Sequence, residues 1–357
     1  MNILVLNQNF ETISIIDSFE SMLWVDRYDE PGEFEIYTAV REDLLKYPVP
    51  NNYLKFKESD KLMIIENLEI ITSAEEGNHI KITGRSLESI LDRRVISTMA
   101  NAQELNVTGN LQTSIKNLIT NNIISPTDTS RKIDNFVFAE SSDAGIVDLT
   151  YENQFKGESV LDIVEQMCQS RDLGFKIVLN NANQFEFSLY KGADRSYSNE
   201  YNDFVIFKPS FDNIIKADYT EKNSEAKTFC YLHAQYSSGS SQVDKIVTKG
   251  EGTGLLRKEV YVDSSISLES GMTMATWESM LNEDAAASLS ERKVKKAFDG
   301  ECETTRMFVY SRDFFLGDIV QVADEYGHET PSRITEYLWS ISDSGTENYP
   351  TFTAINE

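Results

Sequence analysis

The amino-acid sequence predicts a mainly β protein with α+β insertions. Both ends of the chain are rich in short runs in which apolar and polar residues alternate, a period typical of strands that bury one face. The longer stretches with helical spacing of apolar residues lie in the middle of the chain and in one later segment. The length of 357 residues, at about 150 residues per domain, predicts two or three domains with more than one core.

The first β domain is predicted to span residues 1–98. Apolar and polar residues alternate from Phe34 to Thr38, so that one set faces a core. The turn before them, Asp29-Glu30-Pro31-Gly32, combines a proline that presets φ with a glycine that accepts positive φ. Ser86 is placed to cap a short helix. The other strands expected here cover residues 13–16, 22–25, 61–66, 69–73 and 80–83.

Residues 99–203 are predicted to form a middle α+β domain. Its clearest helix runs from Ser159 to Asp172, because apolar residues there recur at intervals of three and four. Gly174 stands where a left-handed cap would end this helix. The remaining elements expected in this domain are a helix near residues 111–119 and strands at 175–179 and 185–189.

A second β domain is predicted in two pieces, residues 204–262 and 301–357, with a helical insertion at 263–300 between them. The helix is expected between Thr273 and Phe298, where apolar residues recur every four positions. Strands are expected at residues 204–207, 214–219, 228–236, 242–248, 306–310, 318–322, 333–339 and 351–355.

One internal similarity links the two ends of the chain. Ser59-Asp60-Lys61-Leu62-Met63-Ile64 and Gly317-Asp318-Ile319-Val320-Gln321-Val322 each combine a small residue, an aspartate and an alternating strand. A second strand is expected after each, containing Ile71-Thr72 and Ile334-Thr335. This pattern fits two related β-barrels, but a turn, an aspartate and a strand also follow one another in many unrelated β proteins. The residues alone leave both interpretations open.

The charge of the chain argues against some classes of partner. Lys and Arg number 33 against 58 Asp and Glu, a formal net charge of −25, which does not suit nucleic acid or an anionic membrane. The N-terminus lacks the features of a signal peptide, and no segment is apolar enough to predict a membrane span. Three distant cysteines, an odd number, predict no disulfide framework and folding in a reducing cytoplasm: Cys168, Cys230 and Cys302.

The search for catalytic chemistry assigns no catalytic, cofactor-binding or metal-binding residue. None of the three histidines has a second histidine or a cysteine at metal-ligand spacing, and serine-hydrolase, zinc-protease and P-loop motifs do not occur. Gly250-Glu251-Gly252-Thr253-Gly254 resembles half of a dinucleotide fingerprint, but Leu255 stands where the pattern requires its last glycine. A pair of catalytic carboxylates stays open, because 58 acidic residues make coincidental pairs unavoidable.

Five segments along the chain form a pattern. The first, Trp24 to Ile36, contains an aromatic residue, a charged turn and the letters GEFEI. The others are Ile82-Thr83-Gly84-Arg85-Ser86-Leu87, Tyr190-Lys191-Gly192-Ala193-Asp194-Arg195-Ser196, Gly250-Glu251-Gly252 and Phe314-Phe315-Leu316-Gly317-Asp318-Ile319-Val320. In this order they resemble siphovirus-type phage tail proteins of the baseplate-hub or tail-associated family. The signature residues are Trp24, Arg27, Pro31, Gly32, Phe34, Gly84, Arg85, Gly192, Asp194, Arg195, Gly317 and Asp318.

The resemblance implies a structural role in a phage tail. Such hubs are homotrimers in which each subunit contributes two related β-barrels, so that a ring of barrels joins the six-fold tail tube to the three-fold tip. The implied partners are the distal tail protein, the tail tube, the tape-measure protein and tip or receptor-binding proteins. DNA is implied to pass through the ring without specific binding. The implied location is the tail tip or baseplate of the virion, after assembly in the host cytoplasm, and no cofactor, enzymatic activity or membrane insertion is implied.

The signature residues are expected to hold the structure together rather than to act on a substrate. Arg27 and Arg195, each near an acidic neighbour, are expected to make fork-type hydrogen bonds to carboxylates or loop carbonyls. Positive φ or close backbone approach is expected at Gly32, Gly84, Gly192 and Gly317.

Two alternatives stay open: a tail-associated cell-wall hydrolase, and a receptor-binding or carbohydrate-binding tail module. Many relatives carry an extra C-terminal region, whereas this chain ends at Glu357, soon after the last expected strand. This suggests that lysis and host recognition belong to other proteins. We also hypothesise that part of the acidic charge lines the channel, where screening over about 8 Å at physiological salt restricts repulsion of DNA to a narrow lumen. The alternative, that the acidic charge simply keeps the surface soluble, stays open.

Overall fold

The computed structural model describes residues 2–73, 75, 77–98, 104–216, 218–299, 302–342 and 345–355. Strands dominate this part of the chain, which confirms the predicted mainly β class with α+β insertions. The N-terminal elements are β1 (Ile3–Leu6), β2 (Thr12–Ile16), β3 (Ser21–Arg27), β4 (Glu33–Ala39), α1 (Glu42–Lys46), β5 (Tyr53–Phe56), β6 (Leu62–Ser73), β7 (Gly77–Ser86) and a 3-10 helix (Leu87–Arg93).

The middle of the chain alternates short strands and helices. Its elements are β8 (Leu105–Asn110), α2 (Leu111–Ile119), a π-helical turn (Thr120–Ile124), a 3-10 turn (Thr129–Arg131), β9 (Phe136–Ala139), α3 (Ala144–Val147), β10 (Thr150–Phe155), α4 (Val160–Gln169), β11 (Gly174–Leu179) and β12 (Phe185–Tyr190).

The C-terminal part returns to strands around one long helix. Its elements are β13 (Ile206–Phe207), a 3-10 turn (Pro209–Phe211), β14 (Asp218–Lys222), β15 (Phe229–Ser238), β16 (Ser241–Gly250), a 3-10 turn (Gly254–Leu256), β17 (Glu259–Asp263), α5 (Met274–Glu291), β18 (Lys295–Asp299), β19 (Ile319–Ala323), β20 (Glu329–Ser342) and β21 (Gly345–Ala354).

Strands from both ends of the chain form one 13-stranded sheet. The strands lie in the order β14-β18-β21-β20-β3-β4-β7-β6-β5-β1-β2; off this path, β19 pairs with β20, and β13 pairs with β19. One hydrophobic core lies under both parts and includes Trp24 and Phe56 from the N-terminal strands and Phe207 and Phe352 from the C-terminal part. The two β regions predicted at the ends of the chain therefore share a sheet and a core.

The large sheet contains the same five-strand arrangement twice. The first repeat has the order β3-β4-β7-β6-β5, and the second has the order β14-β18-β21-β20-β19. In chain order, β3 corresponds to β14, β4 to β18, β5 to β19, β6 to β20 and β7 to β21. Every neighbouring pair within each repeat is antiparallel.

The long hairpins of the two repeats match residue by residue. The pairing of β6 with β7 shifts register between Ile65 and Asn67, and the pairing of β20 with β21 shifts between Ile334 and Glu336. Strands β7 and β21 are both 10 residues long. The bulges therefore align Ile65 with Ile334 and Asn67 with Glu336.

The internal similarity expected from the sequence had the wrong alignment. It aligned residues 59–64 with 317–322, which would make β6 equivalent to β19. The sheet order instead makes β6 equivalent to β20. Ile71-Thr72 continues β6 and does not form a second strand. The turn-aspartate-strand pattern is short and recurs by chance, while the strand order is fixed by hydrogen bonds over the whole repeat.

The middle of the chain packs as a second layer, and its core also includes Leu6, Leu62 and Ile64 from the N-terminal strands. Strands β8 and β10 form one pair, and β11, β12 and β9 form a three-stranded sheet. Helix α4 forms where predicted, and Ser159 and Asp162 make a reciprocal capping box at 3.1 and 3.0 Å. Gly174 does not cap it: Asp172 takes the left-handed conformation, with φ of 54°, and Gly174 begins β11.

A third unit consists of β15, β16 and β17 with α5 on one face. These strands form their own sheet, and Trp277, Leu281 and Ala285 of the helix lie in a core with Cys230 and Leu232. The unit is inserted between β14 and β18. The proposed domain limits stay a proposal, and those at residues 99, 300 and 301 lie outside the described residues.

Three other local predictions were wrong. The helix expected to reach Phe298 ends at Glu291, and residues 295–299 form β18, because β14 and β21 supply backbone partners there. Residues 306–310 form no strand and have only an isolated bridge from Tyr310 to Phe314. Ser86 makes no side-chain cap, because its hydroxyl accepts the Gly32 N–H at 2.7 Å.

Candidate functional site

The two repeats meet at one antiparallel strand pair, β3 with β20, here called the seam. In its register Arg27 lies opposite Glu336, and Trp24 lies opposite Trp339. The Arg27 guanidinium donates to Glu336 at 2.6 Å, to the Pro31 carbonyl at 3.1 Å and to Glu33 at 2.7 Å. These three hydrogen bonds go to two carboxylates and a loop carbonyl, one to each, without a bidentate fork on a single carboxylate, and they tie β3 to the turn, to β4 and to the second repeat.

A buried carboxylate lies on the core side of the seam. Trp24 Nε1 donates to Asp26 Oδ1 at 3.1 Å, and the Ser59 hydroxyl donates to Asp26 Oδ2 at 2.7 Å. Burial raises the pKa of Asp26 to about 6, although Lys61 lies close enough to oppose the rise. In the second repeat Tyr219 Oη donates to Glu221 Oε2 at 3.1 Å. As with Trp24 and Asp26, an aromatic side chain donates a hydrogen bond to the carboxylate two residues later.

Lys61 and Glu88 form a buried ion pair that reaches the middle unit. Their Nζ and Oε1 atoms lie 2.9 Å apart, with side-chain exposures of 7% and 0%. Lys61 also donates to the Arg27 carbonyl at 2.8 Å, and Glu88 accepts the Ile177 N–H of β11 at 3.2 Å. A pair this deep needs such additional hydrogen bonds to offset the loss of water.

Tyr28 connects the seam to the middle unit, and the sequence analysis assigned it no role. Its N–H donates to the Thr335 carbonyl at 2.9 Å, and its hydroxyl donates to the Asp172 carbonyl at 3.0 Å. The ring lies so close to Gly174 and Gly317 that a Cβ on either would come within 2.3 Å or less. Burial raises the pKa of Tyr28 to about 12. The sequence signal that could have identified Tyr28 is its position in the segment from Trp24 to Ile36, which resembles the tail-protein family.

A second group of signature residues lies away from the seam, where the 192–195 loop meets β19. Its members are Gly192, Arg195, Gly317 and Asp318. Asp318, which is 3% exposed, accepts the Ala193 N–H at 2.7 Å, the Arg195 Nε–H at 2.7 Å and the Phe315 N–H at 3.0 Å. A Cβ on Gly192 would lie 1.9 Å from the Gly317 carbonyl carbon, and Gly317 has a φ of +87°. The loop is therefore clamped to the second repeat.

The remaining signature residues shape the first repeat and its neighbouring loop. Phe34 is buried beside Trp24, with ring centroids 5.9 Å apart. Arg85 donates to both carboxylate oxygens of Glu66 and to Asp92. Asp194 accepts from the N–H and the hydroxyl of Ser196, which closes a turn. A Cβ would meet a carbonyl oxygen at 2.3 Å on Gly32 and at 1.9 Å on Gly84, so both glycines stand at a close backbone approach, and neither has a positive φ.

A cavity of about 360 Å³ lies beside the second group of signature residues and extends to residues of the first repeat. Its lining includes Asp26 and Lys61 from the first repeat, Tyr190 from the middle unit, and Arg195 and Asp318 from the second group. All four of these charged side chains already have partners within the protein. The cavity therefore lies where three parts of the fold meet, and these four charged groups are satisfied within the protein.

Open strand edges in the described part of the sheet include β2 at one end, residues 67–71 of β6, and β14. Strand β5 pairs with β6 at Leu62 to Ile64, and beyond the bulge no described strand pairs with residues 67–71 on the side away from β7. At the other end of the sheet β14 pairs with β18 as its one described strand neighbour. Open edges of this kind present backbone donors and acceptors to another strand.

Within the described residues, no group of three or more His, Cys, Asp or Glu is arranged to hold a metal ion. The described helices include none that is long and apolar enough to cross a membrane.

Similarity to known proteins extends over almost the whole chain. Residues 2–352 match the family model described as Siphovirus ReqiPepy6 Gp37-like protein. The fold is similar to the tail protein from Neisseria meningitidis MC58, with 15% identity, a TM-score of 0.62 and coverage of 98% of this chain and 95% of that one. No protein of curated function matches the sequence.

Two prophage proteins have the same fold. The 43 kDa tail protein of prophage MuSo2 from Shewanella oneidensis has 11% identity and a TM-score of 0.60, over 99% of this chain and 98% of that one. Prophage tail protein gp18 from Listeria monocytogenes EGD-e has 12% identity and a TM-score of 0.58, over 100% and 95%.

Proposed function

Because the chain belongs to the Siphovirus ReqiPepy6 Gp37-like family and has the fold of phage tail proteins, we propose that it is a tail-tip hub. Three copies form a ring that joins the six-fold tail tube to the three-fold tip and surrounds the DNA channel. The role is structural, and the site is the set of strand contacts that builds the ring.

The observation that carries the proposal is the five-strand repeat together with its seam. Each chain supplies two repeats, joined side by side through β3 and β20. Three chains supply six repeats, which matches a six-fold tube, while the alternation of first and second repeats keeps only three-fold symmetry. The open edges of β6 and β14 are where a closed ring needs further contacts.

The face of the sheet that points away from the core suits the wall of a DNA channel. Strand alternation places Glu33, Glu35 and Glu336 on this face. Arg27 and Lys81 are bonded to these carboxylates and are not available to phosphates. We propose that this face lines the lumen, which the hypothesis of an acidic channel requires. A ring with a neutral or basic inner wall would contradict it.

The proposed hub contacts the distal tail protein, the tail tube, the tape-measure protein and tip or receptor-binding proteins, after assembly in the host cytoplasm. We propose no enzymatic step for this chain. Incubation with purified cell wall tests that part of the proposal: released fragments would favour the tail-associated hydrolase instead.

Light scattering of the purified protein tests the ring. A chain of 40.6 kDa with a net charge of −25 repels its copies at low salt, so the measurement is made at low and high salt. We expect about three times the chain mass at high salt. A monomer at every salt concentration would contradict the proposal.

A further inference from the structure

We infer that residues 67–71 of β6 pair with β14 of a neighbouring copy in a fixed antiparallel register, with Asn67 opposite Lys222 and Glu69 opposite Thr220. This inference rests on the proposed ring and adds the strands and the residue pairs that close it. The partner is a second copy of the same chain.

The seam within one chain supplies the template. Strand β20 has β21 along one side, while its other side pairs first with β19, at residues 329–333, and then with β3, at residues 336–341. The bulge after Ile334 lies where β20 passes from one partner to the other. Strand β20 of the second repeat thus pairs, along the same side, with β19 of its own repeat and with β3 of the first repeat.

Strand β6 has the same surroundings except for the last partner. It has β7 along one side, pairs with β5 at residues 62–64 on the other, and bulges after Ile65. Residues 67–71 then occupy the place that accepts β3 in β20. In the seam this place is filled by the first strand of the other repeat, β3. The equivalent first strand of the second repeat is β14, so β14 of a neighbouring copy fits beside residues 67–71.

The two bulges determine which residue of β14 is equivalent to each residue of β3. Gly84 pairs with Ile65 and with Phe34, and in the second repeat Phe352 pairs with Ile334 and with residue 298, which is also a phenylalanine. These partners in turn pair with Trp24 in β3 and with Tyr219 in β14.

Tyr219 is therefore equivalent to Trp24, and Lys222 is equivalent to Arg27. The segments they belong to, Trp24-Val25-Asp26-Arg27 and Tyr219-Thr220-Glu221-Lys222, share the order aromatic, β-branched, acidic, basic.

Applying the seam register to the open edge gives the pairs of the interface. Arg27 opposite Glu336 becomes Lys222 opposite Asn67, and Trp24 opposite Trp339 becomes Tyr219 opposite Ile70. The five residues of β14 match the five positions 67–71.

The chemistry of the open edge fits this occupant. Ile70 is 53% exposed, whereas its equivalent Trp339, which the seam covers, is 3% exposed. Leu68 and Tyr219 already pack at the margin of the same core, so the new pair extends that core. Asn67, Glu69, Thr220 and Lys222 are exposed, as a polar outer face requires.

Disulfide formation between introduced cysteines tests the register. Residues opposite each other on antiparallel strands have Cα atoms about 4.5–5.5 Å apart, within disulfide range. We expect Glu69→Cys with Thr220→Cys in one chain to give covalently closed trimers on oxidation, seen on non-reducing denaturing gels. The native cysteines are buried and do not compete.

Two matched pairs serve as controls. Glu69→Cys with Glu221→Cys differs by one position, and that step turns the second side chain to the opposite face, so no cross-link is expected. Val25→Cys with Leu338→Cys is the equivalent pair at the seam and should link within one chain, without change of mass.

The outcomes separate this inference from the proposed function. Trimers by light scattering that cross-link at Glu69 and Thr220, but not at Glu69 and Glu221, support the register. Trimers that fail to link at the first pair, or link equally at both, overturn the register and leave the ring standing. A monomer that links at neither pair overturns both.

Discussion

Arg27 and Glu336 are 309 residues apart in the sequence, and Nε of the first donates to Oε1 of the second at 2.6 Å. This contact crosses the seam, where the first repeat is joined to the second. The same guanidinium holds the Pro31 carbonyl and Glu33, so one side chain connects β3, β4 and β20. Loss of the Arg27 side chain is therefore expected to weaken the contact between the two repeats.

Arg27→Ala is expected to lower the free energy of unfolding by about 1–3 kcal/mol, because two carboxylates lose a charged partner. Arg27→Lys should recover only part of this, since a compact ammonium group cannot reproduce the spread of guanidinium nitrogens that reaches Glu336, Pro31 and Glu33. Arg312→Ala is the matched control, because Arg312 is 63% exposed and bonds only to the adjacent Asp313 among the described ion pairs. Urea unfolding checks the prediction, and equal losses at both arginines would contradict it.

Asp318→Ala is expected to cost about 3–5 kcal/mol in the free energy of unfolding, because it removes the buried carboxylate of the pair and leaves the partly buried Arg195 guanidinium without a partner charge. Two backbone N–H groups also lose their acceptor. Asp134→Ala, at a site 83% exposed, is the control and should change stability by less than about 0.5 kcal/mol. Normal melting of Asp318→Ala would show that the clamp on the 192–195 loop is dispensable.

Charge changes at Asn67 are expected to alter assembly rather than folding. Asn67→Glu places a carboxylate opposite Lys222 of the neighbouring copy, as at the seam, while Asn67→Lys places like charges there. We expect tighter and weaker association respectively, by about 0.2–1 kcal/mol per interface. In a Lys222→Glu background the order should reverse. Sedimentation measures the dissociation constants, and an unreversed order would count against the register.

Glu165 is expected to make stability depend on pH. Burial, followed by the nearby charge of Glu30, raises the pKa of Glu165 to about 7 from an ordinary 4.5. The folded protein therefore keeps a proton that the unfolded chain releases between about pH 4.5 and 7, and the contribution of this group to stability falls as the pH rises through that window.

Glu165→Gln is consequently expected to match wild type near pH 4 and to exceed its free energy of unfolding at pH 8 by about 1 kcal/mol, after allowance for solvent screening. Urea unfolding at both pH values measures the difference. Glu225→Gln, at an exposed position, is the control. A difference that is the same at both pH values would contradict the assignment.

Local patterns predicted the elements whose determinants are close in sequence. The alternation from Phe34 to Thr38 gave β4, and the apolar intervals after Ser159 gave α4, because strand period and helix caps depend on neighbouring residues. Gly174 shows the limit of this reasoning. A glycine after a helix is typical of a cap, but this one makes room for the ring of Tyr28, which comes from another part of the chain.

The arrangement of strands into sheets could not be predicted from the same patterns. Alternation in β15, β16 and β17 indicates one covered face, and it does not tell whether α5 or the large sheet covers it. The repeat was detectable in principle from the segments beginning at Trp24 and Tyr219. Four residues are too few to distinguish from chance until hydrogen-bond registers align them.

Electron microscopy of the assembled protein tests the central claim most directly. The account predicts a three-fold ring with a central hole and six similar repeats around it, in which β14 of each copy continues the sheet of the next at β6. A ring in which these two strands face solvent, or an assembly without three-fold symmetry, would contradict it.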